Sequence, residues 1–516
     1  MIAIPRVQAH GRGSFEMSEV PLTPGFEKFQ QLCRKANLVS VYTKLTADFE
    51  TPLSAYRKVD NGTHSFLLES AEHTSEAGRY SFLGSDPRVV FEASGKQVKI
   101  TERGETEEFE TDSDPFAELE KLMGRYEPAD DIEGLPLFHG GAVGYLSYDS
   151  VRYFEPTVPA PPEDHLGIPD MLFIVSDTVV IFDHRFRMIL VVANVFSEDH
   201  DDSASAYEAA GKKIEAVIEK LNQPLHAEPM AVAPPSESLE SPTSNTTKEE
   251  YMAMVDKAKA YIHAGDIFQV VPSQRFEVEF EAAPIDLYRA LRHVNPSPYM
   301  FCLQFPDGYS LVGSSPEVHV RSINGKVDIR PIAGTRWRGK TDEEDDALAE
   351  DLLHDPKELA EHIMLVDLAR NDVGRIAEYA SVEVTDFKII ERYSHVMHIV
   401  SNVTGKLADG RSAYDVMRAT FPAGTVSGSP KVRAMQIINE LEKSKRCAYA
   451  GAVGYFGFDG NHDSCIALRT CVLKNGKAYV QAGGGVVADS QPEYEYDETV
   501  NKATAMLRAI DWAKKL

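Results

Sequence analysis

The sequence is poor in positive charge. Its 53 lysine and arginine residues face 80 aspartate and glutamate residues, which gives a formal net charge of −27. This imbalance argues against nucleic acid and against anionic membranes as partners. It also means that any anionic substrate needs locally concentrated positive groups or a metal ion to bind.

Cysteine and long hydrophobic runs are scarce as well. The five cysteines show no CxxC spacing, which predicts reduced thiols in a cytoplasmic protein. The most apolar stretch, 171–196, is interrupted by charged residues, so it predicts two or three strands instead of a membrane span. Residues 1–13 have no apolar core of the kind that a signal peptide needs.

The chain is long enough for two domains or one large composite, with 516 residues of which 43% are hydrophobic and 26% charged. Residues 226–247 are rich in Pro, Ser, Ala and Glu and predict a linker. This linker separates an N-terminal half, 1–225, from a second region, 248–516. Short alternating runs in the first half predict antiparallel strands.

Two motifs of the first half recur, in the same order, in the second. RYSFLGSDP at 79–87 resembles GYSLVGSSP at 308–316, and GGAVGYLSYD at 140–149 resembles AGAVGYFGFD at 450–459. The two motifs lie farther apart in the second half. A duplication followed by an insertion into the second copy explains both facts, and chance recurrence of aromatic-glycine strands is the alternative.

The predicted insertion contains a helix, 357–372, with two glutamates one turn apart. Glu358 and Glu361 stand among apolar residues, where a charge is costly unless it is paired or binds a metal. Glu495 and Glu498 repeat this spacing on a second predicted helix. Two such helices suit Mg²⁺, which takes oxygen ligands and few carboxylates. Solvated glutamates on an acidic surface are the alternative.

Other residues of the second half suggest contacts with anions. The glycines at 483–485 expose backbone amides, and the loop at 421–430 leads into a helix whose N-terminus can bind an anion. Arg469 is a charge among apolar residues, although such an arginine is often a structural ion-pair partner. His398 alternates with apolar residues on a predicted strand and, taken alone, indicates a core histidine. These residues predict a Mg²⁺ site for a small, multiply carboxylated substrate, but they do not name the reaction.

The longest motifs of the second half resemble those of the chorismate-utilising enzymes, and most closely the anthranilate synthase large subunits. They lie at 331–339, 357–372, 421–430, 448–455, 463–470 and 482–503. The resemblance covers nearly the whole chain. It implies an α+β fold in which two large, mostly antiparallel sheets form a sandwich flanked by helices, with an internal duplication.

The resemblance also implies roles for individual residues. Glu361 and Glu498 match the Mg²⁺ ligands, with Glu495 beside them, and Glu358 and His398 match the catalytic residues that serve the leaving hydroxyl. The groups that match the binding site for the two substrate carboxylates are Gly334, Thr335, Thr425, Tyr449, Arg469, Gly483, Gly484 and Gly485.

Two positions distinguish the branches of this family. Where Ala333 and Gln269 stand, other branches typically carry lysines that attack the ring or activate water, which alanine and a neutral glutamine cannot do. The implied reaction is therefore that of a Mg²⁺-dependent carbon–oxygen lyase: ammonia attacks chorismate, which yields anthranilate and pyruvate in tryptophan biosynthesis. Isochorismate synthase, aminodeoxychorismate synthase and a catalytically silent tryptophan-binding module are the alternatives.

The resemblance implies a partner and a regulator too. No cysteine lies in a Gly-x-Cys-x-Gly turn, so ammonia is expected from a separate glutamine amidotransferase subunit in a hetero-oligomer. The segments 67–70 and 295–300 resemble elements that bind tryptophan as a feedback inhibitor, although 67–70 alone reads as an ordinary strand end. The matching inhibitor-site residues are Glu69, Ser70, Pro298, Tyr299, Met300 and Cys465.

Overall fold

The structure is a computed structural model, and it describes residues 20–71, 76–130, 132–225, 230, 241–305, 308–393 and 396–516. Within these ranges the helices are α1 Phe26–Leu32, α2 Pro52–Val59, α3 Pro115–Met123, α4 Val151–Phe154, α5 Ser203–Leu221, α6 Lys248–Ala264, α7 Pro284–Val294, α8 Asp342–His354, α9 Pro356–Gly374, α10 Ala413–Thr420, α11 Gly424–Ser427, α12 Lys431–Leu441 and α13 Pro492–Ala513.

The strands of the first half are β1 Leu38–Thr46, β2 Ser65–Glu69, β3 Tyr80–Ser85, β4 Pro87–Ser94, β5 Gln97–Glu102, β6 Glu105–Glu110, β7 Gly141–Leu146, β8 Met171–Ser176, β9 Thr178–Asp183 and β10 Met188–Phe196. Those that follow are β11 Thr243–Ser244, β12 Gln269–Val270, β13 Ser273–Glu279, β14 Tyr299–Phe305, β15 Tyr309–Ser315, β16 Val318–Ile323, β17 Lys326–Ile329, β18 Ile332–Trp337, β19 Glu383–Arg392, β20 Val396–Lys406, β21 Gly428–Ser429, β22 Ala452–Gly457, β23 His462–Ile466, β24 Thr470–Lys474 and β25 Lys477–Gly483.

These strands form two large antiparallel sheets and one small ladder, β12–β21. The first sheet has the order β1-β10-β9-β3-β2-β14-β15-β24-β25-β13-β11. The second has the order β18-β20-β17-β16-β23-β22-β7-β8-β4-β5-β6, and β19 also pairs with β20. The stretch 171–196 forms β8, β9 and β10, as its interrupted apolar pattern predicts.

The two sheets pack face to face, and helices cover their outer faces. Between the sheets lies a core that includes Val143 and Tyr145 from β7 and Phe301 and Leu303 from β14. Helices α1, α2, α5, α7 and α13 pack on the first sheet, and α3, α6, α10 and α12 on the second. The predicted α+β sandwich flanked by helices is confirmed.

Each half of the chain supplies matched strands to both sheets. Outward from the centre of the first sheet, the first half contributes β2, β3, β9, β10 and β1, and the second half β14, β15, β24, β25 and β13. Outward from the centre of the second sheet, the first half contributes β7, β8, β4 and β5, and the second half contributes the matching strands β22, β23, β16 and β17. This correspondence favours duplication over chance. Neither half forms a sheet of its own, because both large sheets contain strands from both halves.

The repeated GAVGY motif meets its own copy at the centre of the second sheet. Gly144 of β7 lies opposite Gly454 of β22 in the antiparallel register. A Cβ atom at Gly144 would lie 1.9 Å from the carbonyl oxygen of Leu172, and one at Gly454 would lie 2.1 Å from that of Asp463. Both glycines are therefore required for close backbone packing at the centre of the duplication.

The second half carries elements without a counterpart in the first, namely β18, α8, α9 and β19, between β17 and β20. The predicted insertion with its carboxylate helix is thus present. Asp355 caps α9, accepting hydrogen bonds from the amides of Lys357 and Glu358 at 2.9 and 3.2 Å. Val366, Ala369 and Val373 pack onto the sheet. The other side of α9 is open, since Ile363 is 48% exposed.

The link between the halves is described only in part. Of the predicted linker, 226–229 and 231–240 lie outside the described residues, as do residues 1–13. The end of that segment forms β11, which pairs with β13 at the edge of the first sheet. The domain division therefore stays a prediction. No helix among the described residues is long and apolar enough to cross a membrane.

Candidate active site

Side chains from α9 and α13 lie near the short segment 483–485, at the end of β25. Gln269 Nε2 lies 3.2 Å from Glu361 Oε1, and a Cβ atom at Gly485 would lie 2.7 Å from the same nitrogen. A Cβ atom at the adjoining Gly484 would lie 3.1 Å from Oε2 of Glu495. Gln269 thus links Glu361 of α9 to the segment that Glu495 of α13 also approaches, although the two helices are far apart in sequence.

The carboxylates of this cluster perturb one another. Burial and then the charge of Glu361 raise the pKa of Glu358. Burial also raises the pKa of Glu495, and the charge of Glu498 adds to this effect. Lys502 offsets part of the negative charge, because its Nζ lies 2.7 Å from Glu498 and donates to the carbonyl oxygen of Gly483 at 3.0 Å.

These carboxylates fit a hard cation with oxygen ligands. Glu495 is only 3% exposed, and its Oε2 is buried with no hydrogen-bond partner among the residues described. Such an arrangement costs free energy unless a ligand satisfies the oxygen. Among the described residues no group of three or more His, Cys, Asp or Glu side chains is arranged to hold a metal. Mg²⁺ needs only one or two protein carboxylates, which Glu361 and Glu498 can supply.

Arg469 and Tyr449 bring polar groups into the same region. The guanidinium of Arg469 donates to Asn295 Oδ1 at 3.0 Å, and burial lowers its pKa. Burial raises the pKa of Tyr449 to about 12, so its phenol is neutral and can donate a hydrogen bond. Both side chains can therefore donate hydrogen bonds to an anion, and their role in binding substrate stays a prediction.

The glycines at 483–485 act differently from the predicted amide cradle. The amide of Gly484 donates to the carbonyl oxygen of Pro272 at 3.2 Å. The amide of Gly483 donates to the phenolic oxygen of Tyr449. Two of the three amides thus have partners within the protein. The absence of side chains instead admits Tyr449, Glu495 and Gln269 close to the backbone.

His398 on β20 lies beside the residues predicted to bind substrate on β18. Its Nδ1 lies 2.7 Å from the carbonyl oxygen of Gly334 and 3.2 Å from Oγ1 of Thr335. Burial lowers the pKa of His398, and the charge of Arg469 lowers it further. The imidazole is therefore neutral near pH 7. Because the Gly334 carbonyl only accepts, Nδ1 carries the proton and Nε2 is an acceptor.

A family model described as chorismate binding enzyme matches residues 63–508. The chain belongs to the chorismate-binding enzymes. The anthranilate synthase component 1 of Pseudomonas aeruginosa is 49% identical over 493 residues, which cover 95% of this chain and 99% of that protein. The anthranilate synthase component 1 of Aquifex aeolicus is 47% identical over 495 residues, which cover 96% of this chain and 99% of that protein.

Solved structures agree with this assignment. Anthranilate synthase component I from Streptococcus pneumoniae is 38% identical, superposes with a TM-score of 0.73 and covers 90% of this chain and 99% of its own. The menaquinone-specific isochorismate synthase of Escherichia coli is 17% identical with a TM-score of 0.69, and it covers 95% of this chain and 96% of its own. The second likeness concerns the fold alone. The protein is thus a chorismate-utilising enzyme.

Sequence reasoning missed one acidic residue of this enzyme. Glu317 is only 7% exposed, and Oγ1 of Thr425 donates to its Oε1 at 2.6 Å. Burial raises the pKa of Glu317 to about 7, although Thr425 and Lys502 act to lower it. A signal was available, because the repeated motif places Arg88 after its proline in one copy and Glu317 in the other.

The residues predicted to bind tryptophan divide between two faces of the first sheet. Glu69, Ser70 and Met300 line a cavity of about 460 Å³ on the helix side, together with Arg292 of the enzyme's α7. Tyr299 and Cys465 lie in the core between the sheets, and Pro298 precedes β14. Neighbouring residues of a strand face opposite ways, so Met300 and Tyr299 contact different spaces. Their shared role stays a prediction.

Proposed function

We propose that the protein is the large subunit of an anthranilate synthase, which converts chorismate and ammonia to anthranilate and pyruvate. Gln269 carries this proposal. It is 3% exposed beside Glu361, and its Oε1 is buried with no hydrogen-bond partner in the described part of the chain. A neutral amide cannot take a proton from water, but its oxygen can accept a hydrogen bond from ammonia, which brings its own lone pair.

The substrate is expected to lie between the carboxylate cluster and Arg469. When bound to Glu361 and Glu498, Mg²⁺ would supply positive charge for a substrate carboxylate. Arg469 and Tyr449 hold the second carboxylate and fix the enolpyruvyl arm. The positive groups that an acidic chain needs for a dianion are thus gathered at one place.

Proton delivery to the leaving hydroxyl is assigned to a carboxylic acid. Glu317 has a pKa near 7 and therefore retains a proton in a large fraction of molecules at neutral pH. The raised pKa of Glu358 makes it a second donor. His398 is neutral with its Nδ1 proton directed at Gly334, so it serves better as an acceptor that orients the hydroxyl.

The ammonia source and the regulator belong to the same proposal. A glutamine amidotransferase subunit delivers ammonia in the complete hetero-oligomer, so the isolated chain uses ammonium salts but not glutamine. Tryptophan inhibits by binding near Glu69 and Met300, and reciprocal coupling requires that chorismate weaken tryptophan binding. A cytoplasmic location stays a prediction.

The test is anthranilate fluorescence from purified chain incubated with chorismate, Mg²⁺ and ammonium chloride. Product must depend on ammonium and on Mg²⁺, and glutamine alone must give none. Glu361→Gln should abolish turnover, while Glu350→Gln on the exposed side of α8 is the matched control. Accumulation of isochorismate or aminodeoxychorismate in place of anthranilate would reject the proposal, and undiminished turnover by Glu361→Gln would reject the metal site.

A further inference from the structure

Arg469 has an unusual electrostatic position for a half-buried arginine. In the described part of the chain no carboxylate lies within ion-pair distance of its guanidinium, and the one side-chain acceptor it contacts is the neutral Asn295, at 3.0 Å from Nη1 to Oδ1. Burial alone acts on its pKa, with no acidic neighbour to raise it. The positive charge thus has no counter-ion among the residues that the structure describes.

The orientation of the Asn295 amide is fixed by its neighbours. Its Nδ2 donates to Oγ of Ser314 at 3.2 Å and lies 3.5 Å from Oγ of Ser297. The hydroxyl of Ser314 in turn donates to the carbonyl oxygen of Asn295. Because a guanidinium only donates, Oδ1 must face Arg469, and the two serines take the amino group.

The same serine holds the backbone of Arg469. The amide of Ser314 donates to the carbonyl oxygen of Arg469 at 3.1 Å, and the side chain of Ser314 is fully buried. Arg469 has a φ of 45°, in the left-handed region that residues other than glycine rarely adopt. Such a conformation persists only where surrounding contacts enforce it. Asn295, Ser314 and Arg469 therefore form one closed, mutually supporting unit.

We propose that Asn295 is a positioning residue that aims the guanidinium of Arg469 at the substrate carboxylate without neutralising its charge. An aspartate would orient the arginine equally well, but it would also supply the negative charge that the substrate must supply. A neutral acceptor keeps the full charge for the ligand. The identity of that ligand as chorismate rests on the proposed function.

The decisive comparison is between Asn295→Asp and Asn295→Ala. Asn295→Asp keeps the side-chain shape and creates an ion pair with Arg469, so the KM for chorismate should rise about ten-fold or more while thermal stability is kept or increased. Asn295→Ala loses the orienting contact but leaves the charge, so KM should rise only a few-fold while the melting temperature falls. Asn295→Asp should therefore have the larger effect on KM, and Asn295→Ala the larger effect on the melting temperature.

Asn222→Asp is the matched control. Asn222 follows the last residue of α5 as Asn295 follows that of α7, and it is exposed. This control should leave KM unchanged. An Asn295→Ala variant with a KM as high as that of Asn295→Asp would overturn the inference, since a merely structural asparagine predicts that result.

A second readout is independent of turnover. Benzoate, a simple monocarboxylate, should raise the melting temperature of the wild-type chain and of Asn222→Asp, and should raise that of Asn295→Asp much less. An equal benzoate effect on all three proteins contradicts the assigned role. A wild-type chain that is protected by benzoate but makes no anthranilate would instead reject the proposed function and leave Asn295 tested by the benzoate series.

Discussion

Replacing Glu317 with glutamine separates the roles of this side chain in catalysis and stability. The change keeps the size of the side chain and an oxygen that can accept from Thr425, but it removes the proton that can be donated. If Glu317 delivers the proton, kcat for Glu317→Gln should fall by about a hundred-fold or more. In the wild-type enzyme, kcat should decline above pH 7 as the carboxyl ionises.

Glu317→Gln should lower kcat, but it should stabilise the folded protein at high pH. The pKa of Glu317 is about 7 in the folded protein against an ordinary 4.5. Below pH 4.5 the carboxyl is protonated in both states and has no effect. Between pH 4.5 and pH 7 the carboxyl is ionised in the unfolded chain but still protonated in the folded protein. A rise in pH across this range therefore favours unfolding. Each pKa unit corresponds to about 1.4 kcal/mol, so the wild type should lose about 3 kcal/mol that Glu317→Gln retains.

The assay is a pair of thermal melts for wild type and Glu317→Gln, at pH 5 and at pH 8. The melting temperature of the variant should exceed that of the wild type by about 3 °C at pH 8, and by much less at pH 5. Glu350→Gln, at an exposed position, should show no such difference. A variant that is destabilised equally at both pH values would refute the claim that Glu317 is a buried, neutral acid.

Three further changes test other features. Gln269→Lys places an ammonium beside Glu361, so the Mg²⁺ concentration needed for half-maximal activity should rise more than ten-fold in a metal titration. Lys431→Met leaves the buried Asp372 without its ion-pair partner, which lies 2.7 Å away in the wild type. The free energy of unfolding, measured in urea, should fall by about 3–5 kcal/mol, and adding Asp372→Asn should restore most of this loss. Gly454→Ala should give no soluble protein on expression, because its Cβ would lie 2.1 Å from a backbone oxygen.

The carboxylate helices could be predicted because their signals are local. An i,i+3 spacing of glutamates, the Asp-Pro start of α9 and the Gln-Pro start of α13 are all contained within single segments. Which face of α9 is buried depends on distant strands, and the apolar residues of the helix do not identify it, since Ile363 lies on the open face. The spacing of the glutamates thus predicts the location of the candidate site, whereas the apolar residues do not predict which face of α9 is buried.

Glu317 and Asn295 could not be found in this way, because their partners are remote. Thr425 is 108 residues from Glu317, and Arg469 is 174 residues from Asn295. Strand pairing and packing between distant segments of the second half bring them together, as where β15 pairs with β24 beside Arg469. The placement of Tyr299 and Met300 in one inhibitor site stays a prediction. Strand alternation places these neighbours on opposite faces of the sheet, whereas the resemblance assigns both to one ligand.

The interleaving of strands also decides how the polypeptide would tolerate being divided. Cleavage between the halves would expose the edges of β2 and β7 on one fragment and of β14 and β22 on the other. Each piece alone would present long unsatisfied rows of backbone donors and acceptors, which promote aggregation. Synthesised together, the pieces have complementary edges and can restore the continuous ladders, so we expect enzyme activity to require co-expression of both.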